Sequence, residues 1–275
     1  MKNKIIHGDC LNVMPLIPNK SIDAIIADIP YGTTACKWDS IIPFESMWKQ
    51  LHRVIKDNGA IVLFGNEPFS SALRMSNIKN YKYDWKWLKQ IPGNHLNAKK
   101  QPLRSYEDVC VFYKKQPTYN PVLTDKPKSH VRVNAIDIKV KNNGAIGKVK
   151  ENVKRNEFRS IPLDKNYPLN VLNINIMAKN KRIHPTQKPI ELMEYLIKTY
   201  TNENETVLDF TAGSGTTAVA CINTNRNYIG IEKDTKYCET ADKRIEQAKK
   251  GSSDNIQNNT QQQQVENSPQ IEMDL

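Results

Sequence analysis

Thr206-Val207-Leu208-Asp209-Phe210-Thr211-Ala212-Gly213-Ser214-Gly215-Thr216-Thr217 is the stretch on which the fold turns. Its first four residues read as a short buried strand and its centre as a glycine-rich turn. A helix follows from about Thr216 to Asn223, and a second strand, Tyr228-Ile229-Gly230-Ile231-Glu232, ends on a carboxylate. Strand, turn, helix and strand in that order make a β-α-β unit. Glycines let backbone approach a ligand, the helix start offers free N–H groups, and Glu232 can accept from ribose hydroxyls. The competing reading is that the glycines serve turn geometry alone. The spacing is not the dinucleotide G-x-G-x-x-G, because Val219 lies inside the helix and no third glycine follows. Asp209 suits a ligand with positive charge, a sulfonium or an α-ammonium, better than a pyrophosphate. The stretch therefore points away from NAD and toward S-adenosyl-L-methionine.

Upstream, the apolar run Asp23-Ala24-Ile25-Ile26-Ala27 ends at Asp28-Ile29-Pro30-Tyr31 and opens into Gly32. The run reads as a buried strand broken where proline removes a ladder donor. The tetrapeptide thus falls at a strand's carboxyl end, where open α/β sheets place their ligands. Taken alone it reads first as a strand-to-loop corner. Phe44, Met47, Trp48, Leu51, Val54 and Ile55 recur at helical spacing with Asn58-Gly59 as a stop, and Ala60-Ile61-Val62-Leu63-Phe64 is a further strand. Tyr81, Tyr83, Trp85 and Trp87 alternate with polar residues and take 109–113 as a partner, across a basic loop from Pro92 to Arg104. Pro189 opens a helix, and Asp234 can cap the last one. The domain reading is a catalytic domain of 1–116 and 181–249, a basic insert over 117–180, and a Gln/Asn/Ser-rich tail over 250–275 expected to be disordered.

The chain has 275 residues and a formal charge of +11, which favours a polyanionic partner. Residues 79–182 hold 23 Lys and Arg against 8 Asp and Glu, while the remainder holds 17 against 21, so one segment carries the whole excess. That places a nucleic-acid-facing region in a mildly acidic body, with a solvated basic surface as the bland alternative. The cysteines at 10, 36, 110, 221 and 238 are dispersed, so neither a disulfide framework nor a zinc site is expected. No run reaches the length of a membrane span or a signal peptide, and the expected location is the cytoplasm.

The two stretches resemble the catalytic and cofactor motifs of DNA amino-methyltransferases, enzymes that methylate N6 of adenine or N4 of cytosine. The family's Asp/Asn/Ser-Pro-Pro-Tyr/Phe stands here as Asp28-Ile29-Pro30-Tyr31, with Ile29 in place of the first proline. His184-Pro185-Thr186-Gln187-Lys188-Pro189 is similar to the motif before the family's cofactor strand, and Gly8-Asp9 resembles its turn to the cofactor adenine. With the catalytic motif first and the basic segment between, the order resembles the permuted beta class found in bacteria and their phages.

The resemblance implies a Rossmann-like class I methyltransferase sheet with S-adenosyl-L-methionine as cofactor. Asp9, Thr186, Lys188, Asp209, Phe210, Ala212, Gly213, Ser214, Gly215, Thr216 and Glu232 are the implied cofactor-binding set, with no metal. It implies that Asp28 and the Ile29 carbonyl accept the two N–H bonds of a base amino group, that Pro30 completes the catalytic motif, and that Tyr31 stacks on a flipped base. Asp at position 28 favours adenine, since cytosine-N4 members more often carry Ser. The partner is double-stranded DNA, with Lys99, Lys100 and Arg104 as candidate contacts. A homodimer and a restriction endonuclease counterpart fit the resemblance. The alternatives are a cytosine-N4 enzyme, a protein or RNA amide methyltransferase, and a DNA-binding relative without catalysis.

Overall fold

The computed structural model describes residues 1–32, 39–125, 162, 164–176 and 187–266, with 252–266 as helix backbone alone. Thr186 and Cys36 lie outside these residues. In chain order the elements are β1 (Lys4–His7), α1 (Cys10–Val13), β2 (Ile22–Ala27), α2 (Phe44–Val54), β3 (Ile55–Gly65), α3 (Phe69–Ser76), β4 (Tyr81–Gly93), β5 (Arg104–Phe112), β6 (Thr124–Asp125), β7 (Lys165–Asn166), β8 (Val171–Leu172), α4 (Ile190–Tyr200), β9 (Thr206–Asp209), α5 (Thr216–Asn223), β10 (Asn227–Glu232) and α6 (Thr235–Glu266).

Eight strands form one sheet in the order β1-β10-β9-β2-β3-β5-β4-β8. From β1 to β3 every neighbouring pair is parallel, whereas β5 runs antiparallel to both β3 and β4. This is the Rossmann-like α/β sheet that the resemblance implies, with the parallel β-α-β units read from the sequence. From β9 the chain winds through α5 to β10, and from β2 it winds the other way through α2 to β3, so the connections part between β2 and β9. Open α/β sheets bind ligands at such a switch point. Asp28 and Asp209, at the carboxyl ends of these two adjacent strands, flank it.

Period-2 alternation sorts the side chains onto two faces. Ile25, Ala27, Ile61 and Leu63 pack with Met47, Trp48 and Leu51 of α2 and Phe69 and Leu73 of α3. Ala24, Ile26, Val62 and Phe64 pack with Leu192, Leu196 and Ile197 of α4 and Ala218 and Cys221 of α5. Both faces of the central strands are covered, which is why their sequences are continuously apolar.

Three local expectations change. Asn58-Gly59 does not lie in a loop after the helix: it sits within β3, where the register against β2 slips between Ile22 and Ala24. The helix already ends at Val54, because Ile55 turns to an extended conformation and joins the sheet. Residues 170–176, assigned to the basic insert, return to the main sheet: β8 pairs with β4, the Trp87 indole donates to the Ile174 carbonyl at 2.8 Å, and Leu172 and Ile174 are buried. A two-residue strand carries no readable period. The separate compact unit spans Pro121–Leu169, and its described residues include the antiparallel pair β6/β7. Finally, the backbone of α6 runs to Glu266, through residues whose composition suggests disorder. The Asp234 carboxylate caps it by accepting from the Lys236 N–H at 2.8 Å, and extending an established helix needs no new nucleation. Among the described residues no helix is long and apolar enough to cross a membrane.

Candidate active site

A cavity of about 730 Å³ opens at the switch point, within the range of roughly 300–1,000 Å³ usual for small-molecule sites. Its wall includes Asp9, Asp28, Tyr31, Lys188, Asp209, Gly213, Ser214 and Glu232, so most of the candidates that the sequence singles out converge on one space. Ile29, Pro30, Phe210, Ala212 and Thr216 line it too.

At the glycine turn, Glu232 accepts from the Gly213 N–H at 2.7 Å through one oxygen and from the Asp234 N–H at 2.8 Å through the other. Gly215 has φ +75°, and a Cβ there would stand 2.8 Å from that of Ala241, so glycine is required by both backbone and neighbour. A Cβ on Gly213 would meet nothing within 4 Å. That residue, lining the cavity at φ +51°, leaves its backbone open to a ligand. Arg244 of α6 reaches back to donate to the Ser214 carbonyl at 2.5 Å and to the Ser214 and Thr216 hydroxyls at 3.0 and 3.2 Å, which pins the turn from outside. Asp9 caps α1 by accepting from the Leu11 N–H at 2.9 Å.

Asp209 is buried. It accepts from the Thr211 N–H at 3.1 Å and from the Thr217 hydroxyl at 2.5 Å. Burial pushes its carboxyl up to about 7, with the charges of Asp28 and Glu232 adding to the rise against the lowering effect of those hydrogen bonds. Thr211 also donates through its hydroxyl to the Asp28 carbonyl at 3.1 Å, tying the cofactor turn to the catalytic strand end.

At that strand end, Asp28 is 22% exposed through its side chain. One oxygen accepts from the Tyr31 hydroxyl at 2.6 Å and the other from the Lys188 ammonium at 2.7 Å. A carboxylate offers about four lone-pair positions, so two donors leave it able to accept more. Burial, then the nearby Asp28 and Glu107 charges, raise the Tyr31 phenol well above its ordinary value and keep it a donor. The Tyr31 ring packs on Phe69 at a centroid distance of 5.2 Å. Asp39 accepts from the Tyr31 and Gly32 N–H groups at 2.8 and 2.9 Å, holding the loop as it leaves the strand. The Ile29 side chain is buried in the core, which leaves its main chain as the part available for chemistry.

Lys188, grouped by resemblance with the cofactor residues, has its ammonium on Asp28 and 3.1 Å from Glu107. Glu107 also pairs with Lys89. Burial acts to lower the Lys188 pKa, but the Asp28 and Glu107 charges outweigh it and hold the ammonium above its ordinary value. Burial likewise acts to raise the Glu107 carboxyl, and Lys188 and Lys89 outweigh it in the opposite sense. Sequence reasoning missed Glu107, Lys89, Asp39, Thr211 and Arg244. The one available signal was Glu107-Asp108, two acids opening the apolar run Val109-Cys110-Val111-Phe112.

The β4–β5 hairpin brings Ile91, Pro92, Gly93 and His95 to the cavity wall. Lys99, Lys100 and Arg104 are exposed near its tip and are not part of that wall. Among the described residues no cluster of His, Cys, Asp and Glu could hold a metal.

A sheet with this switch point and two motif-bearing strand ends around one cavity is that of a class I methyltransferase. The chain matches the family model described as DNA methylase, the N6/N4 methyltransferases, over residues 22–243, and it belongs to that family. It is 29% identical to the Type II methyltransferase M.BglII of Bacillus subtilis, over 87% of this chain and 68% of that one. It is 27% identical to the DNA adenine methyltransferase YhdJ of Escherichia coli K12, over 89% of this chain and 83% of that one. Among solved structures, the M1.HpyAVI–SAM complex superposes with a TM-score of 0.56 at 26% identity, covering 88% of this chain and 98% of the other.

Proposed function

We propose that the protein is an S-adenosyl-L-methionine-dependent methyltransferase acting on N6 of a flipped adenine in duplex DNA. The observation that carries the reading is the Asp28 carboxylate, which stands at the end of β2 beside the glycine turn, the Asp28 main-chain carbonyl being joined to that turn through the Thr211 hydroxyl. The family covers both adenine and cytosine amino groups. An aspartate at position 28 supports adenine, and the adenine enzyme YhdJ is among the relatives.

The cavity fits the cofactor. The open backbone at Gly213, the Glu232 carboxylate and the buried Asp209 supply a close-approach surface, an acceptor for ribose hydroxyls and a counter-charge for a cation. Asp9, Phe210, Ala212, Ser214, Gly215, Thr216 and Thr186 complete the proposed set. When bound, the cofactor supplies an electrophilic methyl carbon carried on a sulfonium. The protein's own part is positioning. Asp28 and the Ile29 carbonyl accept the two N–H bonds of the base amino group and turn its lone pair out of conjugation, while Tyr31 stacks on the extruded ring. Extrusion costs a few kcal/mol, which such stacking offsets in part. Expression in a methylation-free host, digestion of its DNA to nucleosides and mass analysis test the reading. N6-methyladenine is expected. N4-methylcytosine would move the target to the family's other base, and no methylated nucleoside would remove the activity.

The raised Asp209 carboxyl makes cofactor binding pH-dependent. In the free protein it keeps its proton below about pH 7, and a bound cation favours the carboxylate, so binding releases a proton. Affinity is expected to rise between pH 6 and 8, by at most about tenfold per unit below 7, and to level off above. Titration calorimetry in buffers of different ionisation enthalpy measures the proton directly, and Asp209→Asn should abolish the slope. An unchanged slope in that variant would reject the assignment.

Lys99, Lys100 and Arg104 are proposed phosphate contacts. Removing all three should lower DNA affinity and reduce the slope of log affinity against log salt by about 1 for each cation that pairs with a phosphate. Fluorescence anisotropy across a salt series measures both, and a slope equal to that of the wild type would exclude these residues.

A further inference from the structure

We propose that Glu107 and Lys188 are a buried positioning pair for the methyl-transfer step, with Lys188 holding the Asp28 carboxylate in its reactive orientation and Glu107 holding Lys188. The inference rests on the assignment of Asp28 as acceptor of the base amino group, and it gives Lys188 a place other than among the cofactor ligands.

The Lys188 ammonium has three N–H donors and no acceptor. It donates to Asp28 at 2.7 Å, forms an ion pair with Glu107 at 3.1 Å, and lies over the Phe64 ring, 4.9 Å from its centroid. Two carboxylates and a ring face thus already surround the cation. On the acceptor side, each Asp28 oxygen already takes one donor, the Tyr31 hydroxyl or Lys188, so rotation of the carboxylate is blocked while lone pairs stay available for the substrate.

The four charged groups also balance. Asp28 and Glu107 carry two negative charges, and Lys188 and Lys89 carry two positive ones. The Lys188 and Glu107 side chains are 8% and 10% exposed, and ionised groups persist at such burial only when each is paired. Asp28, Glu107 and Lys188 come from the end of β2, from β5 and from the segment before α4, and all three line the one cavity. Loss of Glu107 leaves the ammonium free to follow another acceptor, and a displacement of 1 Å at a reacting group costs about 10² in rate.

Single-turnover methylation of duplex DNA by wild type, Glu107→Gln, Lys188→Met and Lys188→Arg tests this, together with calorimetric cofactor affinity as a check on folding. Expected are rates about 10- to 100-fold lower for Glu107→Gln and Lys188→Met, partial recovery in Lys188→Arg, and cofactor dissociation constants within about threefold of wild type. In an Asp28→Asn background, Glu107→Gln should add less than about twofold, because its effect passes through Asp28. Additive losses in that background would overturn the proposal, as would a tenfold weaker cofactor affinity in Lys188→Met, which would return the lysine to the cofactor site. Wild type that methylates no DNA would overturn the functional reading and this inference with it. Active wild type with additive variants would overturn this inference alone.

Discussion

Asp28→Ala is expected to lower the single-turnover rate of methyl transfer by about 10³-fold while cofactor affinity stays within a few-fold of wild type. The amino group of an aromatic base is a poor nucleophile because its lone pair is shared with the ring. The acceptors that rehybridise it are Asp28 and the Ile29 carbonyl, and alanine removes the charged one. Alanine also frees the Tyr31 hydroxyl and the Lys188 ammonium, both of which donate to Asp28. Lys188 keeps Glu107 as a partner, so the loss does not leave an isolated buried cation. The glycine turn stays held by Glu232 and Arg244, neither of which touches Asp28, and that is why cofactor binding should survive. Rapid-quench transfer to duplex DNA and calorimetry measure the two quantities. A rate within tenfold of wild type would remove Asp28 from the chemistry.

Much of this arrangement is legible in the sequence because buried parallel strands are written as short apolar runs. Ile22–Ala27, Thr206–Asp209 and Asn227–Glu232 sit where their Val, Ile and Leu content places them. Each ends in a carboxylate or a glycine turn that marks the ligand side. Convergence of distant residues is not written that way. Glu107 is one acid in a strand, and only the antiparallel arm β4–β5 carries it to the Lys188 ammonium that holds Asp28. Lys188 lies within a motif that by resemblance belongs to the cofactor, yet its ammonium is directed by two carboxylates 160 and 81 positions away. The two-residue strand β8 has no period to read, and Asn58-Gly59 carries the composition of a stop while serving a register slip inside β3.

Alternation along β5 sends Glu107 to the active site and Asp108 to the opposite face of the sheet, and the second of these carries the largest expected loss of stability. The Asp108 side chain is 2% exposed and is paired with Arg74 of α3 at 3.0 Å and with Lys86. Arg74 also pairs with Asp84 at 2.8 Å and with Glu67 at 2.8 Å, so one guanidinium bridges α3 to both strands of the arm. Arg74→Met keeps most of the aliphatic stem but leaves two carboxylates that are nearly out of solvent, 2% and 10% exposed, sharing the Lys86 ammonium as their one cation among the described residues. Breaking a buried pair in this way costs about 3–5 kcal/mol, and for a chain of this size the melting temperature should fall by about 10 °C. Arg74→Met with Asp84→Asn and Asp108→Asn removes the stranded charges and should regain part of the loss, since the penalty lies in unpaired ions rather than in poorer packing. Calorimetric melts of the two variants decide it: a single variant that melts within about 2 °C of wild type, or a triple variant no more stable than the single, would show that this cluster does not anchor the arm that presents Glu107.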